Sequence, residues 1–108
     1  MTTIRFGLYA RTAAGGPIAV EAQVQALRAA VAQRGGCSVV VERDVNVSGA
    51  GGPGPGLARL LSVAAAGRID VIVVEGLDRL GRSPRTLAGV LASIRAAGAS
   101  VLIAEVNR

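Results

Sequence analysis

Two short segments hold the side chains whose types and spacing could do chemistry. Arg11 stands in "YARTAAGG", Tyr9 to Gly16, where an apolar strand runs out into a loop. Asp78, Arg79 and Arg82 stand in "GLDRLGRS", Gly76 to Ser83, again just past an apolar strand. Arginine presents a planar fork of donors that matches the oxygens of a phosphate. Arg79 and Arg82 are three apart, so they share a face if their segment is helical. If both segments leave the same end of one sheet, Arg11, Arg79 and Arg82 converge on one point, and that point is an anion site. The bland alternative is three solvated arginines, one of them paired with Asp78. The chain has no histidine and a single cysteine, Cys37. No disulfide, no zinc or iron site and no cofactor is therefore expected.

The rest of the composition bounds the setting. A chain of 108 residues, 51% of them hydrophobic, makes one globular domain with one core. Phe6 and Tyr9 are its only aromatic residues. The core must be aliphatic, and there is no aromatic platform on which unpaired bases could stack. All twelve basic residues are arginine, and the formal net charge is +5. That inventory suits phosphate binding, and it equally suits GC-rich coding. "MTTIRFG" lacks the long apolar region of a signal peptide, and no apolar run reaches membrane-span length. A cytoplasmic protein with no membrane partner is expected.

Alternating elements must position these residues. "IRFGLYA", Ile4 to Ala10, reads as strand one. The segment from Ala19 to Gly36 carries Val20, Val24, Leu27 and Val31 on one helical face, closed by Gly35 and Gly36. "SVVVERDV", Ser38 to Val45, is strand two. A Gly/Pro-rich loop follows, and Pro55 opens a helix that ends at Gly67. Ile69 to Glu75 is strand three, apolar enough to be covered on both faces. Ser83 and Pro84 read as an N-cap and first turn for a helix through Leu87, Val90, Leu91 and Ile94 to Gly98. "SVLIAEV", Ser100 to Val106, is strand four.

This β-α-β-α-β-α-β order predicts an α/β fold in three layers, a four-stranded parallel sheet in the order 2-1-3-4, flavodoxin-like in type. Strands one and three are then neighbours at the point where winding reverses. Open α/β sheets bind ligands there, beyond the carboxyl ends of the strands.

Collinear segments now point to a family. They are "YAR" (Tyr9 to Arg11), "VEAQVQAL" (Val20 to Leu27), "VSG" (Val47 to Gly49), "PGLARLL" (Pro55 to Leu61) and "IDVIVVEGLDRLGRS" (Ile69 to Ser83). With them the chain resembles the catalytic domain of the serine recombinases, the resolvase/invertase family of DNA site-specific recombinases. The resemblance implies a serine that attacks a DNA phosphodiester, forms a phosphoserine link and releases a 3′-hydroxyl, without metal or ATP. It implies that Arg11, Arg79 and Arg82 hold the scissile phosphate and stabilise the charge gained in the transition state. Asp78 matches the acidic partner, Gln23 the polar residue projecting from the first helix, and Tyr9 the tyrosine closing strand one. The family continues beyond strand four into a long subunit-pairing helix and a DNA-reading module. Neither falls within these residues, so a single resolvase-like domain over 1–108 is expected.

The chain departs from the pattern Tyr-X-Arg-X-Ser at its decisive position, where Ala13 stands for the serine. A methyl group cannot attack phosphorus. Ala14 replaces a further hydroxyl residue, and Gly54 stands where the family usually carries an arginine before the "PGL" turn. Losses in separate segments favour natural decay of catalysis, or a retained binding role, over one engineered change. The expected function is a recombinase domain that has lost strand cleavage. It would keep weak or nonspecific DNA contact, homo-oligomeric contacts, or a role as partner or regulator of an active recombinase. Alternatives are a strand-transferase using another hydroxyl such as Thr12, a small-molecule phosphate binder, and an oligomerisation unit. Thr12 would point to the face opposite position 13 if the strand continues. Ser83 is assigned to capping, Ser48 to a turn and Cys37 to the core. "GAGGPG", Gly49 to Gly54, matches G-x-G-x-x-G as a string but follows strand two, not strand one.

Overall fold

The computed structural model describes residues 3–45 and 52–104. A four-stranded parallel sheet in the order β2-β1-β3-β4 stands at its centre. The strands are β1 (Arg5–Arg11), β2 (Cys37–Asp44), β3 (Val71–Val74) and β4 (Ser100–Ile103). The helices are α1 (Gly16–Gln33), α2 (Pro55–Ala65) and α3 (Pro84–Ala96). The predicted order is therefore observed, and β1 and β3 are adjacent.

Side-chain alternation divides the core into two layers. Phe6, Leu8 and Ala10 of β1 pack with Val73 of β3 against Val20, Val24, Leu27 and Val31 of α1. The opposite parity, Tyr9, Ile72 and Val74, packs against Leu57, Leu60 and Ala64 of α2 and Val90 and Ile94 of α3. A period of two on the strands meets a period near 3.6 on the helices, so each element buries one stripe. Ile72, Val73 and Val74 are all buried, as a strand covered on both faces requires.

Boundaries shift at several ends. β1 runs on to Arg11, because Arg5 to Arg11 all find register partners on β2. α1 starts at Gly16, four residues before Val20, the first periodic position, with Gly15 in the left-handed region at its N-cap. β3 is shorter than its apolar run, since Asp70 and Glu75 lie outside the ladder. The expected tail of strand four past Ala104 lies outside the described residues, as do Ser48 and the "VSG" segment. Cys37, expected in the core, is instead exposed at the first residue of the edge strand β2. Ser83 caps α3 as expected, its hydroxyl accepting from the Thr86 amide at 3.1 Å and donating to Thr86 Oγ1 at 2.8 Å. No helix among the described residues is long and apolar enough to cross a membrane.

Charges flank the outer strand. Glu21 on α1 pairs with Arg43 of β2, and Arg59 on α2 pairs with Glu42 of β2 at 3.0 Å. These pairs sit on both faces of an edge strand, where charge discourages pairing with another sheet.

Candidate phosphate site at the end of strands one and three

Arg11 ends β1 on the same side as Tyr9, and its side chain crosses to the segment after β3. There its Nε donates to the Arg79 carbonyl at 3.1 Å, and its Nη2 donates to the Asp78 carbonyl. The residue is 3% exposed. Its backbone is held from the other layer by Gln23 of α1. Gln23 Oε1 accepts from the Arg11 amide at 3.2 Å, and Gln23 Nε2 donates to the Arg11 carbonyl at 2.9 Å. Gln23 therefore does not project into solvent; it is buried, and its amide completes the hydrogen bonding of the strand end.

The segment after β3 is a 3-10 turn, Leu77–Arg79, closed by the Leu80 amide on the Leu77 carbonyl at 3.0 Å. It ends at Arg79, so Arg79 and Arg82 are not on one helical face; Arg82 lies past the turn and is exposed. Arg79 Nη2 is 3.7 Å from Glu75 Oε1, and its Nε is buried with no hydrogen-bond partner. The acidic neighbour of Arg79 is thus Glu75 and not Asp78. The Asp78 side chain folds back over Gly76, where a β-carbon would come within 2.7 Å of Oδ1.

Sequence reading missed Asp44. Its carboxylate is 3% exposed at the end of β2 and accepts from the Tyr9 hydroxyl at 2.7 Å. It also accepts from the amides of Gly56 at 2.8 Å and Leu57 at 3.1 Å, in the first turn of α2. A carboxylate at a helix N-terminus satisfies amides that the helix itself leaves open. Burial, then the bond to Asp44, pushes the Tyr9 hydroxyl well above the usual tyrosine range. The available signal was an aspartate at a strand's end, some ten residues before a helix with no capping side chain of its own. That interval crosses a Gly/Pro loop, and spacing alone does not say that its ends meet.

This arrangement bears on two sequence readings. A β-carbon on Gly54 would lie 2.6 Å from Asp44 Oδ2, so Gly54 lets the turn close over the buried carboxylate. The amides that a dinucleotide's pyrophosphate would need at the start of α2 are already taken by Asp44. Residues 49–51 of the "GAGGPG" string lie outside the described residues.

Positions 12 to 14 follow directly. Thr12 continues the ladder, its amide donating to the Asp44 carbonyl at 3.1 Å, and it is 5% exposed. Ala13 and Ala14 are exposed, in a bend between β1 and α1.

Comparison with known proteins gives the family and the fold. The model of the resolvase N-terminal domain matches residues 7–108, and the chain belongs to that family. It is 33% identical to the C-terminal catalytic domain of IS1535 TnpA, an IS607-like serine recombinase, covering 93% of this chain and 70% of that one, with a TM-score of 0.69. The corresponding domain of ISC1926 TnpA superposes with a TM-score of 0.85 at 23% identity, over 96% of this chain and 72% of that one. A resolvase family site-specific recombinase from Streptococcus pneumoniae superposes at 0.77 with 20% identity, over 94% and 72% of the respective chains. A search of curated proteins gave no match. The chain thus has the fold of a serine recombinase catalytic domain.

Proposed function

We propose that this domain has lost DNA strand cleavage and retains a phosphate-binding arginine site, Arg11, Arg79 and Arg82, directed at the backbone of DNA. The observation that carries the reading is the end of β1. Ala13 is exposed where a nucleophile would stand, and the neighbouring hydroxyl of Thr12 belongs to a residue only 5% exposed. A phosphoryl transfer through a protein nucleophile needs an oxygen, sulfur or nitrogen presented to phosphorus, and the exposed side chain here is a methyl group. The site's remaining chemistry is binding. Contact with duplex DNA would be nonspecific and would weaken steeply with salt. Association with an active recombinase, or with a second copy, is the setting in which such binding would serve a biological role.

The test is a covalent-adduct assay. Purified protein incubated with supercoiled plasmid, then denatured, is expected to leave no protein joined to DNA. An adduct that vanishes in Thr12→Val would overturn the proposal and assign Thr12 the nucleophile's part. The restoring change is Ala13→Ser. Adding Gly54→Arg brings a side chain onto the Asp44 carboxylate, so the two changes should be assayed singly before they are combined.

A further inference from the structure

We propose that the groove between α2 and α3 is a second binding site, for a small apolar molecule that carries one carboxylate. Arg11, Arg79 and Arg82 do not line it, so the proposal stands whether or not those residues meet DNA. It starts from a glycine without a local reason. Gly89 lies in the middle of α3, where glycine weakens a helix relative to alanine. A turn or a tight contact often explains such a residue. Gly89 has neither a positive φ nor any atom within 4 Å of the place a β-carbon would take. It lines instead a groove of about 320 Å³. A side chain at this position would stand in that space.

The walls define the occupant. Pro53, Leu61 and Val90 are apolar. Ser93, one turn after Gly89, spends its hydroxyl inside the helix by donating to the Gly89 carbonyl at 3.1 Å. Arg85, one turn before Gly89, also lines the groove and is exposed. Among the described residues it has no hydrogen-bond or ion-pair partner, and no carboxylate lines the groove. Arg85, Gly89 and Ser93 are spaced by four, so they form one row along the helix. One unpaired guanidinium beside apolar walls complements an apolar body with a single negative end, and its fork of donors matches a carboxylate. The volume is that of a site for a small molecule.

Octanoate, kept below its micelle concentration, is the probe, titrated into ¹⁵N-labelled protein. The amides of Arg85, Gly89, Val90 and Ser93 are expected to shift and to saturate at millimolar octanoate. Gly89→Leu, which fills the groove, should abolish the shifts and unfold at a temperature no lower than the unaltered protein. Arg85→Gln should weaken octanoate by about threefold, the worth of an exposed ion pair. 1-Octanol, which has the same chain without the charge, should bind the unaltered protein more weakly than octanoate does. Arg85→Gln should bind the two alike. Three results overturn the proposal: no saturable shift at these amides, shifts that persist in Gly89→Leu, or octanol and octanoate binding the unaltered protein equally. Shifts at the Arg11 and Arg79 amides in their place would put the anion in the other site, which also overturns it. If Gly89→Leu fails to fold, Ser93→Leu, on the next turn of the same row, takes its place.

Discussion

Tyr9 and Asp44 form the most tightly enclosed polar pair that the site rests on. The Tyr9 hydroxyl is 2.7 Å from a carboxylate buried beneath α2, so its ionised form would place two negative charges side by side in a poorly solvated spot. The hydroxyl's folded pKa is therefore raised above the unfolded value of about 10. A group raised in this way stabilises the fold below its unfolded pKa and withdraws that stability as pH rises beyond it. Tyr9 is the chain's sole tyrosine, so phenolate absorbance reports on it alone. Absorbance and circular dichroism should change together in alkali. A phenolate that forms near its ordinary pKa while the dichroism stays native would contradict the buried bond. Tyr9→Phe should cost about 1.5–3 kcal/mol in urea unfolding, the range for a hydrogen bond to a charged partner. Asp44→Ala should cost more, because the Gly56 and Leu57 amides then lose their acceptor as well.

At the scale of elements, ends decide more than middles. α3 begins at a serine whose hydroxyl satisfies the Thr86 amide. Ser83→Ala is expected to lower thermal stability by about 1 kcal/mol, the usual worth of such a cap. A loss far larger than this, or weakened DNA binding at unchanged stability, would give Ser83 a role beyond the helix end. Just before β3 stands Asp70, whose carboxylate accepts from the Arg5 amide at 2.8 Å and from the Arg5 side chain at 3.2 and 3.0 Å. Those bonds hold the Asp70 carboxyl below the usual carboxylate range. Its contribution is present above the unfolded pKa and lost as pH falls through the lower folded one. Both partners are about two-fifths exposed, so water screens the pair and the effect is small. Asp70→Asn should slightly flatten the acid limb of a stability-against-pH curve and leave the neutral region nearly level.

For the whole molecule, the charge balance of +5 gives a favourable but unspecific approach to a polyanion. Arg5, Arg43 and Arg59 are engaged with Asp70, Glu21 and Glu42 on the flanks of the fold. Arg82 is exposed, three residues after Arg79 in the segment that leaves β3 at one end of the sheet. If that end meets DNA, Arg82→Gln should reduce the slope of log affinity against log salt by about 0.9, one phosphate contact's worth. Arg59→Gln should leave the slope unchanged. Equal slopes for the two variants would show that attraction is spread over the whole surface.

The order of elements, the parallel sheet and its 2-1-3-4 arrangement were legible in the chain because hydrophobic period and crossover handedness leave few alternatives. The adjacency of the Arg11 and Asp78–Arg79 segments followed from that order. Tertiary structure alone decided what each polar group touches. Arg11 bonds to carbonyls, Gln23 to a peptide, Glu75 stands near Arg79 in place of Asp78, and Asp44 joins Tyr9 to α2. Apolar burial follows a repeating pattern that a sequence displays. A hydrogen bond depends on angstrom distances between atoms far apart in the chain, and these exist only once the layers have packed.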